Sequence, residues 1–317
     1  MATFVALAAL VGVGFDLFLV GGSQGNIVLP IGTFGALALA SSSAATSYFA
    51  GDRAVLRSSQ AIPLETALAS AETEEERLRL TQFRNTVEEM AIAAGLPVPK
   101  AFVVPDPDAN AFATGRDPEH ASVAVTEGLL KVLNREQLQG VVAHEMSHVR
   151  NYDIRLMTVI AALVGTLALL SDWSGRLGRV AGGTRRSRGR GSNREGGAGT
   201  LVFLVVWLFL MILAPIVGRL LAMAVSRQRE YLADASAAEL TRNPGALADA
   251  LETIEGMAGP TKLVHQGSAH LCIADPLGLR IDNREGRWAE WFATHPPMAK
   301  RVALLRGMNY SALRARQ

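Results

Sequence analysis

The chain has 317 residues, 49% of them apolar and 19% charged, with a net charge of +2 and a mean hydropathy of +0.21. Soluble domains carry about 25% charged residues, so the composition excludes a simple soluble protein, a disordered chain and a collagen-like one. The near-balanced charge gives no basic field for nucleic acid, and the single cysteine, Cys272, excludes an internal disulfide, a cysteine-based zinc cluster and an iron–sulfur centre.

The excess apolarity is concentrated in a few stretches. Asp16 is the one charge in Met1–Gly51. Ala2–Val20 and Ile27–Ala50 each meet the roughly 20 residues that a helix needs to cross a bilayer core. With Gly21–Asn26 as the turn, they predict a transmembrane hairpin over residues 1–51. A cleaved leader is disfavoured, because no basic flank precedes the first stretch and a second follows at once. Arg53 and Arg57 mark the water-side end.

The first part of a water-facing domain follows, over residues 52–155. Thr73 and Glu76 have the spacing of a capping box, Leu78, Leu80, Phe83, Val87, Met90 and Ile92 recur at helical spacing, and Gly95 stops the helix before Pro97. Three β-like runs come next, Ala101–Val104, Asn110–Thr114 and Ala121–Val125, separated by the turn-rich Pro105–Ala109 and Gly115–Glu119. They predict a small antiparallel sheet. Asn134, with Gln137 three residues on, caps a helix that runs through Val149.

Two further apolar stretches, Leu156–Ser171 and Gly199–Gly218, lie within residues 156–218 and bracket a loop, 172–198, with seven arginines. No aromatic residue interleaves those arginines to stack bases, so they read as a solvated linker or a lipid-headgroup contact. The second part of the water-facing domain spans residues 219–317.

The chemistry is concentrated in His144-Glu145-Met146-Ser147-His148. On a helix His144 and His148 lie one turn apart on one face, suited to two ligands of a tetrahedral zinc. Glu145 lies beside them, where it can take a proton from a water activated there. For this composition about 0.006 chance matches are expected in the whole chain. Because a catalytic zinc takes three protein ligands, a third is sought downstream. Glu230 and Asp234 put two carboxylates one turn apart, Glu230 for the metal and Asp234 to hydrogen-bond a ligand histidine. Two weaker signals remain. Asn110, Ala111, Phe112 and Ala113 are either an edge strand that pairs with an extended substrate or an ordinary packed strand. His295, before Pro296 and Pro297, either donates to an oxyanion or caps the final helix, and Arg301 could orient that loop through a carboxylate.

Four of these segments carry a family resemblance: His144–His148, Ser226–Asp234, Asn110–Gly115, and Thr294–Pro297 with Arg301. Together they resemble the HtpX-type membrane zinc endopeptidases of bacteria, and more distantly the CAAX-prenyl-protein endopeptidases. The resemblance covers essentially the whole chain. It implies a mainly α fold with a small sheet (α+β), a zincin-like catalytic domain joined to transmembrane helices. It further implies one Zn2+ per chain on His144, His148 and Glu230, and cleavage of misfolded or damaged membrane proteins under stress. The expected partners are polypeptide substrates and the lipid bilayer, with no nucleic acid and no nucleotide. The expected location is the inner (plasma) membrane, multi-pass, with the active site cytoplasmic, since Arg53, Arg57, Arg150, Arg155, Arg227 and Arg229 flank the catalytic side. The alternatives are a specific peptide- or prenyl-protein-processing protease and a catalytically silent scaffold. The intact His144, Glu145, His148, Glu230 and Asp234 argue against the scaffold.

Overall fold

The lone charge of the apolar N-terminal segment holds a helix end. The computed structural model describes residues 30–159, 227–257, 272–273 and 296–308, with the isolated positions 5, 9, 13 and 16. In it the Asp16 carboxylate accepts from the backbone N–H groups of Gly32 (2.7 Å) and Thr33 (2.8 Å) and from the Thr33 hydroxyl (2.6 Å). Those N–H groups are among the donors that a helix start leaves without internal partners.

The helix so capped, α1 (Ile31–Ser58), runs on past Gly51, so the expected domain boundary falls inside one helix. Ile31, Phe34, Leu39 and Phe49 on it are exposed. Ser41-Ser42-Ser43, Asp52, Arg53 and Arg57 dilute its apolarity, and among the described residues no helix is long and apolar enough to cross a membrane. Most of Ala2–Val20, the later part of Leu156–Ser171, the arginine-rich loop and Gly199–Gly218 lie outside the described residues.

After the short strand β1 (Ile62–Pro63) and α2 (Leu64–Ser70) comes α3 (Glu74–Ala94). The Thr73 hydroxyl accepts from the Glu76 N–H, and the Glu76 carboxylate reaches back to the N–H of Glu72 rather than of Thr73. Gly95 ends the helix at φ 67°, a left-handed conformation that favours glycine. Leu80, Phe83, Val87 and Met90 form the buried stripe. Leu78 and Ile92, expected on the same face, are exposed, because they fall outside the i, i+3, i+7 progression of the other four.

The sheet corrects one expectation. Strands β2 (Lys100–Val104), β3 (Ala111–Thr114) and β4 (Ser122–Thr126) join β1 in the order β1-β2-β4-β3. β3 and β4 form the expected antiparallel pair, but β2 pairs with β4 in parallel, so the sheet is mixed. The segment after β2 does not fold back as a hairpin. Its Asp106 carbonyl accepts from the N–H of Gly128 on α4 (Glu127–Val132), and Pro107 packs so closely there that a Cβ on Gly128 would sit 1.9 Å from the Pro107 oxygen. Anchored across the end of the sheet, the chain enters β3 at the far edge.

Helix α5 (Arg135–Arg150) crosses this sheet and is buried almost without a break from Leu138 to Val149. Packed around it are α3, α6 (Arg227–Thr241) and α7 (Pro244–Met257), with α8 (Met298–Gly307) against α7. Phe83, Leu129, Val141, Met146, Leu247, Leu251 and Ile254 fill the space between them. Each such side chain stabilises the fold by about 1.5–3 kcal/mol through removal from water. Gly140 sets how near α7 approaches: a Cβ there would lie 3.0 Å from the Leu247 Cα.

Candidate active site

The chemistry begins with a well-made helix start. The Asn134 side chain accepts from the Gln137 N–H and the Gln137 side chain accepts from the Asn134 N–H, both at 3.0 Å, so the expected cap is a complete capping box. Ten residues on, α5 presents His144 and His148 one turn apart, with their Nε2 atoms 3.2 Å from each other. Glu230 arrives from α6, its Oε2 3.7 Å from His144 Nε2 and its Oε1 3.6 Å from His148 Nε2. All three residues are buried, and their candidate ligand atoms lie within 4.8 Å of one another.

The spacing decides whether these residues fit a metal. Four donors placed tetrahedrally at 2.0–2.1 Å from zinc lie about 3.3 Å apart. The three distances found here bracket that value, and the donor set of two imidazoles and a carboxylate suits a divalent cation with a position left open.

Both histidines are held from behind. His144 Nδ1 lies 3.0 Å from Asp234 Oδ1, and His148 Nδ1 lies 3.1 Å from Asp153 Oδ2. Each carboxylate accepts the Nδ1 proton and leaves Nε2 as the ligand atom. Asp234 is in turn gripped by Arg301 of α8, with Nε to Oδ2 at 2.8 Å and Nη2 to Oδ1 at 2.7 Å. Arg301 is fully buried and also donates to the Ile273 carbonyl at 3.2 Å.

Burial and charge set the protonation states. Burial raises the Glu145 carboxyl to about 7, with the Glu230 carboxylate adding to the rise and the nearby His148 and the Ala113 N–H opposing it. Burial acts upward on Asp234 too, but the Arg301 guanidinium and the hydrogen bonds from Arg301 and His144 overcome it and bring the group down to about 2. Burial pushes His144 down, against the opposing pull of Asp234, and so favours the neutral imidazole that a metal ligand needs. Burial opposes charge on His148 as well, but Asp153, Glu230 and Glu145 outweigh it and raise that group.

The structure brings together five residues expected from the sequence: His144, Glu145, His148, Glu230 and Asp234. Asn110, Ala111, Phe112 and Ala113 are buried beside them, and the Ala113 N–H donates to the Glu145 carboxylate. The Asn110 side chain accepts from the Ala111 N–H at 2.9 Å. The outer edge of β3 is taken by the chain itself: Phe112 bridges Cys272 in antiparallel fashion, and the Ile273 N–H donates to the Ala111 carbonyl at 3.0 Å. His295 lies outside the described residues. Arg301 acts through a carboxylate, Asp234, on a different helix from its own. Sequence reasoning missed Asp153, whose only signal was an acidic residue five positions past His148.

The model of peptidase family M48 matches residues 77–309. A protease HtpX homolog of Ligilactobacillus salivarius is 38% identical over 308 residues, which are 97% of this chain and 95% of the relative. Another, from Levilactobacillus brevis, is 46% identical over 231 residues, 72% of this chain and 73% of the relative. The crystal structure of S. mikatae Ste24p aligns with a TM-score of 0.45 at 17% identity, over 85% of this chain and 57% of that one. With a family match over residues 77–309 and a relative that aligns along 97% of the sequence, the chain belongs to peptidase family M48 and is a metalloprotease.

Proposed function

We propose that the protein is a membrane-anchored zinc endopeptidase that cleaves misfolded or damaged membrane proteins, with His144, His148 and Glu230 holding one Zn2+. The observation that carries this reading is the buried triad, whose ligand atoms lie within 4.8 Å of one another beside Glu145. A zinc ion there would supply Lewis-acid polarisation of the scissile carbonyl. Glu145 takes the proton of the attacking water and returns it to the leaving amine, a task suited to a carboxylate brought to about 7. Asp234 fixes the His144 ring, and Arg301 fixes Asp234. The substrate strand runs alongside Asn110, Ala111, Phe112 and Ala113, in place of the two residues, Cys272 and Ile273, that hold that edge. His295 is proposed to donate to the oxyanion.

The apolar Met1–Gly51 and the exposed apolar side chains of α1 support a bilayer anchor. The arginines flanking the catalytic side support a cytoplasmic active site. The test is metal content and peptidase activity of the detergent-purified chain, on casein and on a destabilised membrane protein, before and after a chelator. About one zinc per chain, chelator-sensitive cleavage and faster loss of the membrane substrate are expected. A wild-type protein that cleaves equally well with its metal removed would overturn the reading.

A further inference from the structure

Past the end of α5 the chain turns sharply. The Asn151 N–H donates to the Ser147 carbonyl at 3.0 Å and the Tyr152 N–H to the Val149 carbonyl at 3.2 Å. Tyr152 then takes φ 60°, a left-handed conformation rare for a bulky side chain. Helical backbone resumes at Asp153. The turn returns the buried Asp153 carboxylate beneath the last ligand of α5, where it faces two partners. Its Oδ2 lies 3.1 Å from His148 Nδ1, and its Oδ1 lies 3.1 Å from Arg229 Nη1. Arg229 immediately precedes Glu230, the metal-facing carboxylate of α6.

Each histidine therefore has a carboxylate and an arginine behind it: His144–Asp234–Arg301 and His148–Asp153–Arg229. The second set sits at a particular place in the chain. Asp153 stands just before the apolar stretch that begins at Leu156, and Arg229 stands where the chain returns after Gly199–Gly218. The ion pair thus joins the two feet of that excursion beside the candidate metal position.

We propose that Asp153 and Arg229 are positioning residues for metal binding. Asp153 accepts the Nδ1 proton of His148, which leaves the Nε2 lone pair as the ligand, since a neutral imidazole carries one proton and one acceptor. Arg229 ties that carboxylate to the residue next to Glu230, so α5 and α6 deliver their ligands in one register. The proposal rests on the metallopeptidase reading, and its test separates the two.

The full chain in detergent is prepared as wild type, Asp153→Ala, Asp153→Asn, Arg229→Ala and Arg229→Lys. Zinc affinity is measured by competition with a chromophoric chelator, and melting in excess chelator reports the metal-free fold. Asp153→Ala is expected to weaken zinc binding by about 10–100-fold, as loss of a partner behind a ligand histidine does. Asp153→Asn, which keeps an acceptor oxygen, recovers most of that loss. Arg229→Ala weakens binding by a smaller factor, and Arg229→Lys restores part of it. Wild-type affinity in Asp153→Ala overturns the proposal, as does an Asn variant as weak as Ala, or an affinity loss matched by an equal loss of metal-free stability. If Asp153→Ala fails to fold, Arg229, whose side chain is 37% exposed, decides alone: unchanged affinity in Arg229→Ala overturns the proposal. A wild-type chain that takes up no zinc overturns the metallopeptidase reading and this proposal together.

Discussion

Replacing Arg301 with methionine tests how the site is held together. The guanidinium is fully buried and donates twice to Asp234, at 2.7 and 2.8 Å, and once to the Ile273 carbonyl. Its Nη1 also lies 3.5 Å from Glu230 Oε2. Methionine fills much of the volume but leaves two buried carboxylates without their cation. The Asp234 group sits at about 2 against an ordinary 3.8, and at about 1.4 kcal/mol per unit that net lowering corresponds to roughly 2 kcal/mol. Breaking a buried pair removes more, about 3–5 kcal/mol, because the stranded charge stays desolvated. At about 2–4 °C per kcal/mol for chains of this order of size, the metal-free protein should melt roughly 6–20 °C lower at pH 7. The double variant Arg301→Met/Asp234→Asn should fall by clearly less than the sum of its single changes. The sign with pH is fixed by the depressed group. Stability from Asp234 is fully present above 3.8 and is lost as pH falls through about 2, so the gap between wild type and Arg301→Met should narrow across that window. Melting of Arg301→Met within about 2 °C of wild type, or strict additivity in the double variant, would refute the reasoning.

The proposed base gives a second prediction: Glu145→Gln should retain zinc, lose nearly all peptidase activity and still be the more stable protein above neutral pH without metal. The carboxyl is raised from 4.5 to about 7, so the neutral-form contribution is present below 4.5 and lost as pH rises through 7. A gain of up to about 3 kcal/mol at pH 8 and none at pH 4 is expected in chelator-treated melts; full activity in this variant would disprove the assignment. Asp234→Ala should keep partial activity at high zinc while Glu230→Ala should not, read by activity against zinc concentration; equal, total loss in two folded variants would contradict that ranking. Gly140→Ala should lower stability by about 1–3 kcal/mol in the same melts, since its Cβ meets the Leu247 backbone at 3.0 Å, and a neutral effect would mean that α7 yields freely. For topology, the first later apolar stretch, Leu156–Ser171, is shorter than the roughly 20 residues a crossing helix needs, and its Met157, Thr158 and Val159 are buried in the protein. A cysteine at Ser187 in a Cys272→Ala background should therefore resist a membrane-impermeant thiol reagent in intact cells, and labelling there would establish a full crossing.

What was legible in the sequence was local. The spacing of His144, Glu145 and His148, the cap at Thr73, the stop at Gly95 and the Asn134–Gln137 box all depend on groups within four residues of each other, so helix geometry alone connects them. The parallel pairing of β2 with β4 depends on where Pro105–Asn110 is anchored, and that anchor is a backbone contact to Gly128 which no residue type announces. β1 is two residues long and contains Pro63, too short to show alternation. Asp153 reaches His148 only because Tyr152 adopts a left-handed turn, an unusual choice for that residue. Glu230 and Asp234 stood out by their one-turn spacing, but only the proximity of a zinc-type helix gave that spacing meaning. Arg301 was marked by resemblance, while its grip on Asp234, 67 residues earlier, is a product of the whole fold.

That long reach has a consequence for how the enzyme comes into being. The Arg301 guanidinium that steadies the His144 side of the site stands 157 residues after that histidine. At translation rates of about 5–20 residues per second, roughly 8–30 s separate the synthesis of the two. Through that interval the segment of α5 already carries both histidines and the base, while Glu230, Asp234 and their arginine, which follow two apolar stretches in the sequence, are still to be made. Until α8 is made, Asp234 behind the His144 ring lacks the guanidinium that grips it, so the site is completed only after its histidine helix.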